Sequence, residues 1–250
     1  MSTTTFKELC LDTTCTDGVV GRFWAALTGC TFQQGAAVQG AAVQGGAEGD
    51  PGDVVGDEEG MGIAICPVPE EKTVKNRVHL DVSVASLEDV TALGGTIGEA
   101  HEHWTVCHDP EGNEFCAFVR EDPLPSYRVF EFNVDCVDPE PIARWWADRF
   151  GVEARNTDRL GNVTDWWWLA GAPGFPASGP FFAMVFGPVP EPKTVKNRMH
   201  WDVYGDPGEL IAAGASKLWE VPGRTRPIAW TVLADPEGNE FCVFPPSAPL

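Results

Sequence analysis

The sequence predicts an α+β protein made of two tandem copies of one domain, each copy a pair of βαβββ modules. Two internal repeats carry that prediction. PVPEEKTVKNRVHLDV at 67–82 returns as PVPEPKTVKNRMHWDV at 188–203, with thirteen of sixteen positions identical at an offset of 121. WTVCHDPEGNEFCAF from Trp104 returns as WTVLADPEGNEFCVF from Trp230. Blocks in the same order at this spacing mark a whole duplicated domain, since a solenoid repeat is far shorter. The boundary is expected in REDPLPS, Arg120 to Ser126, giving domains over 1–120 and 127–250, each with its own core.

Each element has its local reason. Phe6 to Cys15 alternates as a strand does, and Asp17 is expected as the N-cap of a helix that stops at Gly29. The second copy repeats this with a strand over Arg128 to Cys136 and a helix opened by Asp138 and Pro139 and closed near Gly151. Further strands are expected at 61–66, 163–169 and 181–186. After KTVKNR a strand spans Val78 to Val84, a short helix runs from Ser86 to Gly94, and strands follow at 104–108 and 114–119. DPEGN joins the last two as a turn. LCLDTTCTD at 9–17 aligns with FEFNVDCVD at 130–138, and the low-complexity run from Gln33 to Gly60 is expected as a ragged hairpin or excursion in the first module.

Composition restricts the partners. Against 17 basic residues stand 37 acidic ones, a net charge of -20 that repels phosphate backbones and anionic lipid headgroups. The start of the chain has no basic-then-apolar leader and no run reaches the length of a membrane span. A cytoplasmic protein is expected, with eight reduced cysteines, a small-molecule partner and no nucleic acid or membrane contact. As an oligomer it is a monomer or a homodimer.

The strands also mark candidate site residues. His79, Asp81 and Ser83 share one face of their strand, as do Cys10, Asp12 and Thr14, and Glu131, Asn133 and Asp135. These polar faces line a cavity or a wet cleft in which His79 and His200 bond Asp81 and Asp202. Trp166 and Trp168 face one way together, either stacking on a flat ligand or filling a core. The KTVKNR segments are expected as crossovers, with Arg77 and Arg198 paired to nearby acids.

Paired βαβββ modules with KNRxHxDV and DPEGNEFC resemble the glyoxalase/bleomycin-resistance/extradiol-dioxygenase (vicinal oxygen chelate) superfamily, over nearly the whole chain twice. The resemblance implies a cup-shaped mixed sheet in each domain, often with a divalent metal in the cup. Carried over position by position, it implies a site of Cys10, His79 and Cys116 in the first domain and of Glu131, His200 and Cys242 in the second. Relatives that use a metal place a carboxylate where this chain has Cys116 and Cys242, so no metal is expected; a bound metal would take one of those two sets. The expected cavity comprises these six residues with Tyr204, Trp166 and Trp168, Glu131 being the candidate general base. The better-formed pocket is expected in the second domain. The implied function is binding of a small organic molecule without a metal, the alternative a metal-dependent lyase, isomerase or dioxygenase. In a third reading one copy is only a structural partner.

Overall fold

The structure is a computed structural model that describes residues 4–34, 51–121, 123–177, 181–220 and 230–245. In chain order the elements are β1 (Thr5–Thr13), α1 (Val19–Thr28), β2 (Thr31–Gln33), β3 (Asp53–Val55), β4 (Ile63–Pro67), β5 (Val78–Val84), α2 (Leu87–Ala92), β6 (Thr96–Ala100), β7 (Thr105–His108) and β8 (Glu114–Val119). The second half repeats the order: β9 (Val129–Cys136), α3 (Pro139–Phe150), β10 (Arg155–Thr157), β11 (Val163–Ala170), β12 (Ala183–Pro188), β13 (Met199–Tyr204), α4 (Pro207–Ala212), β14 (Ser216–Glu220), β15 (Thr231–Ala234) and β16 (Glu240–Phe244). The four expected βαβββ modules are all present. No helix among the described residues is long and apolar enough to cross a membrane.

The modules do not pair in the order in which they occur. One eight-stranded sheet runs β14-β15-β16-β13-β1-β4-β3-β2 and the other β10-β11-β12-β9-β5-β8-β7-β6. The first module therefore joins the fourth, through antiparallel β1 and β13, and the second joins the third, through antiparallel β5 and β9. The segment from Arg120 to Ser126 connects β8 to β9 inside one sheet. The chain changes sheets only at the two KTVKNR crossovers, between β4 and β5 and between β12 and β13.

Separate cores are not observed either. Alternation sends Leu9, Leu11, Phe132, Val134 and Trp201 to the apolar faces of their sheets, and those faces meet in one continuous buried cluster. Phe132 touches Phe6 and Trp201 of the other sheet, with ring centroids 5.8 Å apart in both pairs. Helices α1 and α3 each reach both sheets. The indole of Trp24 donates to Asp109 in the β7–β8 turn, and that of Trp146 donates to Asp235 in the β15–β16 turn. The polar faces point away from this shared core.

Helix ends follow the expected chemistry with one change. Gly18 occupies the N-cap of α1, and the Asp17 carboxylate accepts from the Val19 N–H. Gly29 closes α1 in the left-handed region, at φ 82°, against the backbone of Ser126. The hairpin expected in the low-complexity run is present at its base, where Thr31, Phe32 and Gln33 pair with Val55, Val54 and Asp53. Residues 35–50 lie outside the described residues.

Candidate functional site

The polar face of the first sheet gathers residues from both ends of the chain. Cys10 and Asp12 project from β1, Cys66 from β4, His200 and Asp202 from β13, and Cys242 from β16. Cys10 lies directly opposite His200 in the β1–β13 register, and Asp12 lies beside Cys66. The donor atoms form two triplets, Cys10 with Asp12 and Cys66, and His200 with Asp202 and Cys242, each with all its atoms within 4.8 Å. Cys10 Sγ is 2.9 Å from Cys66 Sγ, and Cys242 Sγ is 3.5 Å from His200 Nε2. The Cys66 contact, then burial, raises the Cys10 thiol well above its ordinary range; burial, then the charge of Asp202, does the same to Cys242. Lys196 pairs with Asp12 at the edge of this cup.

The second cup is built differently. His79 and Asp81 come from β5, Cys116 from β8, and Glu131 and Asn133 from β9, with His79 opposite Asn133 and Asp81 opposite both Glu131 and Cys116. Burial lowers the His79 imidazole to about 4, so it is neutral at physiological pH. Burial also raises Asp81 and Glu131, which lie side by side and repel one another when both are ionised. The charges of Arg120 and Arg159 oppose that burial effect at Glu131 and favour its ionised form. His79 Nδ1, Asp81 Oδ1 and Asn133 Nδ2 are buried without a hydrogen-bond partner. Aromatic rings border the polar floor: Phe118 touches Phe130 edge-on and Trp104 face-on, with Arg120 over both phenyl rings. On the opposite flank Trp168 lies in the row Trp168–Val185–Asn133–His79 and packs on Phe181.

Two cup-shaped sheets of paired βαβββ modules invite comparison with known proteins. A model of the glyoxalase-like domain family matches residues 8–118 and again residues 131–244. The chain belongs to the glyoxalase-like domain family. Among solved structures, glyoxalase I from Zea mays is similar at a TM-score of 0.63 and 11% identity, over 97% of this chain and 92% of that one. A Bacillus subtilis protein named as a putative dioxygenase is similar at 0.56 and 11% identity, over 98% and 86%. Both likenesses are of fold. Among curated protein sequences none matches the chain.

Within this glyoxalase-like frame the expected residue sets are redistributed. Cys10 lies in the first cup while His79 and Cys116 lie in the second, because β1 pairs with β13 and not with β5. For the same reason Glu131 is separated from His200 and Cys242. Tyr204 shares the first cup's face with His200 and Asp202 and sits beside Glu59. Trp166 and Trp168 belong to the second cup's sheet; Trp166 is largely exposed, and the Trp168 indole donates to the carbonyl of Thr157.

The alignment of Cys10 with Glu131 is also displaced by two residues. His200 faces Cys10 whereas His79 faces Asn133, so Asn133 is the counterpart of Cys10 and Glu131 that of Glu8. The two family matches begin at residues 8 and 131, at the same offset. At Phe130 a break in register places the ring against Phe118 on the polar side, beside Glu131.

Cys66, Asp81, Asn133 and Asp202 complete the cups although the carried-over sets omitted them. The signal for three of them was the period-2 alternation already visible in β5, β9 and β13; Cys66 needed the parallel β1–β4 register.

The repeated motifs hold the scaffold. Lys72 bonds Glu114, Asn76 bonds Asn113, and Lys193 with Glu240 and Asn197 with Asn239 repeat both contacts. KTVKNR and DPEGNE are thus halves of one hydrogen-bonded lock, present twice. Arg198 pairs with Glu111 as expected, but Arg77 donates to the backbone carbonyls of Asp135 and Glu191. The crossovers lie side by side around a cleft of about 430 Å³ between Asp12 and Asp135.

Donor chemistry separates the cups as metal sites. The first cup offers two triplets, one of two thiols and the Asp12 carboxylate and one of an imidazole, a thiol and the Asp202 carboxylate, whereas the second offers a single triplet of His79, Asp81 and Cys116.

Proposed function

We propose that this glyoxalase-like protein binds a flat small organic molecule in the second cup, with Glu131 accepting a proton from it. The observation that carries the reading is the floor of that cup, where buried polar atoms of His79, Asp81 and Asn133 lack partners beside aromatic walls. Apolar walls with a few convergent polar groups are the usual composition of a small-molecule site, and unpaired buried groups gain most from a ligand that satisfies them. Arg120 and Arg159 add positive charge near Glu131, which favours a ligand that carries or develops negative charge on a carbonyl or carboxylate oxygen. The proposal includes a cytoplasmic setting, a monomer or homodimer, and no nucleic-acid or membrane partner.

A metal-dependent lyase, isomerase or dioxygenase is the second reading, favoured by the donor atoms of His79, Asp81 and Cys116 lying within 4.8 Å of one another. Both readings are tested by thermal-shift screening of aromatic and 1,2-dicarbonyl compounds, with and without added divalent metal. Stabilisation abolished by Glu131→Gln and weakened by Trp168→Ala, with no metal requirement, supports the first reading. Stabilisation that requires metal and is lost with His79→Gln supports the second. A ligand response unchanged in all three variants places the site elsewhere.

A further inference from the structure

Two thiols of the first cup meet directly. Cys10 projects from β1 and Cys66 from β4, and their sulfurs are 2.9 Å apart. The second copy of the same design has neither thiol. At the matching places it carries Asn133, which faces His79 as Cys10 faces His200, and Gly187, which lies beside Asp135 as Cys66 lies beside Asp12. The fold therefore closes without these two thiols, and their meeting is particular to the first cup. Cys10 is buried and Cys66 is half-buried. Asp12, the register partner of Cys66, also lines the cleft between the crossovers, which places Cys66 next to that cleft.

Such a pair has the parts of a reversible oxidation site. The reacting thiol must be open to a small oxidant, as half-buried Cys66 is, and a resolving thiol must stand within reach, as Cys10 does. Disulfide sulfurs are about 2.05 Å apart, so the two must draw together by about 0.9 Å from 2.9 Å. They stand diagonally across the sheet, Cys10 beside Ala64 and Cys66 beside Asp12, so bonding asks β1 and β4 to shift. A disulfide that asks for such a shift is the more easily reduced kind. In a reducing setting, disulfides that form and break readily are the ones that sense oxidants. Lys196 pairs with Asp12 and lies within electrostatic reach of Cys10, where its charge favours loss of the Cys10 proton during attack.

We propose that Cys10 and Cys66 form a peroxide-responsive disulfide, with Cys66 as the thiol that reacts first and Cys10 as the one that resolves it. The Cys66 sulfur attacks one oxygen of hydrogen peroxide. A sulfur–oxygen bond forms as the oxygen–oxygen bond breaks, leaving a sulfenic acid, and the departing hydroxide takes the thiol proton as water. The Cys10 sulfur then attacks the sulfenic sulfur. The sulfur–sulfur bond forms as the sulfur–oxygen bond breaks, and the second hydroxide leaves with the Cys10 proton as water. Two thiols have lost two electrons and the peroxide has gained them. The bond joins β1 to β4 within the first module and closes a loop that contains the low-complexity run. It takes both thiols out of the first cup and leaves the groups of the second untouched. This chemistry is independent of the ligand proposed for the second cup and is read without any substrate.

The test exposes the full-length reduced protein to a small excess of hydrogen peroxide, then alkylates the remaining thiols in denaturant and digests the chain. Two of the eight free thiols should be lost, and the intact mass should fall by two hydrogens. Peptide mapping should join Cys10 to Cys66, and a dithiol reductant should restore both. In Cys10→Ala the resolving thiol is gone, so dimedone, which labels sulfenic acids, should mark Cys66. Cys66→Ser should keep Cys10 as a free thiol, whereas Cys116→Ser in the second cup should form the bond as the parent does. Circular dichroism of each variant checks its fold, and the peptide map of the parent decides the question even where a variant is unstable. Retention of all eight thiols, a link between other cysteines or between two chains, or oxidation of Cys66 to a sulfinic acid without linkage to Cys10 would each overturn the proposal.

Discussion

Asp235 offers a quantitative check on the scaffold. Its carboxylate accepts from the indole of Trp146 and from the backbone of Glu237 and Asn239, yet burial dominates and raises it from 3.8 to about 6. An acid whose pKa is raised by folding stabilises the native state fully below its unfolded pKa, and that contribution is lost as pH rises through the folded one. Between pH 4.5 and 7, a shift from 3.8 to about 6 removes about 2 kcal/mol. Asp235→Asn cannot titrate. The variant is expected to be destabilised overall through its lost indole acceptor, but its deficit relative to the parent should shrink by about 2 kcal/mol between those pH values. Urea denaturation of both proteins at pH 4.5, 5.5, 6.25 and 7 measures it. A deficit that stays constant, or grows with pH, would refute the claim that burial outweighs these three hydrogen bonds.

Two further outcomes follow from the packing. A protease site engineered into the β8–β9 connection should give a nicked protein that still elutes as one particle of full mass and separates only in denaturant, because each sheet contains strands from both halves; halves that separate under native conditions would contradict the module pairing. Gly29→Ala should lower stability by about 2–3 kcal/mol in urea denaturation, since an L residue at φ 82° is strained and its Cβ would lie 1.9 Å from the Ser126 carbonyl oxygen; a loss under about 0.5 kcal/mol would show that this corner can shift freely.

The sequence made the modules legible because their signals are local. Alternation in β1, β5, β9 and β13, the Pro and Gly marks on α3, and the DPEGN turns all act over a few residues. Short strands were harder: β6 is exposed along its whole length, so nothing imposes a two-residue period on it. Which module pairs with which was not legible, because four modules of one design present four similar pairing edges. The choice depends on crossover geometry and on contacts such as Phe6 with Phe132, which lie far apart in the chain. The site inherited that gap: its residue types were visible on the right strands, but their grouping into cups was not. The two-residue displacement of Glu131 has a simpler origin. The connection from β1 to α1 is longer than that from β9 to α3, so matching Cys15 to Cys136 pulled the preceding strands out of register.

The pairing of outer with outer and inner with inner modules also sets an order of events. Strands β5 and β9 meet across a loop of modest length, whereas Cys10 must find His200 near the other end of the chain. Contacts between neighbouring segments form sooner than those that close a long loop. During synthesis the second sheet can close as soon as the third module has emerged, while β1 waits with a hydrogen-bonding edge open until β13 arrives. Throughout that interval the first module is a strand donor without its acceptor, the species most prone to pair with another copy. The first sheet is therefore expected to close after the second, and exchange of this module between chains is the misassembly that such an order favours.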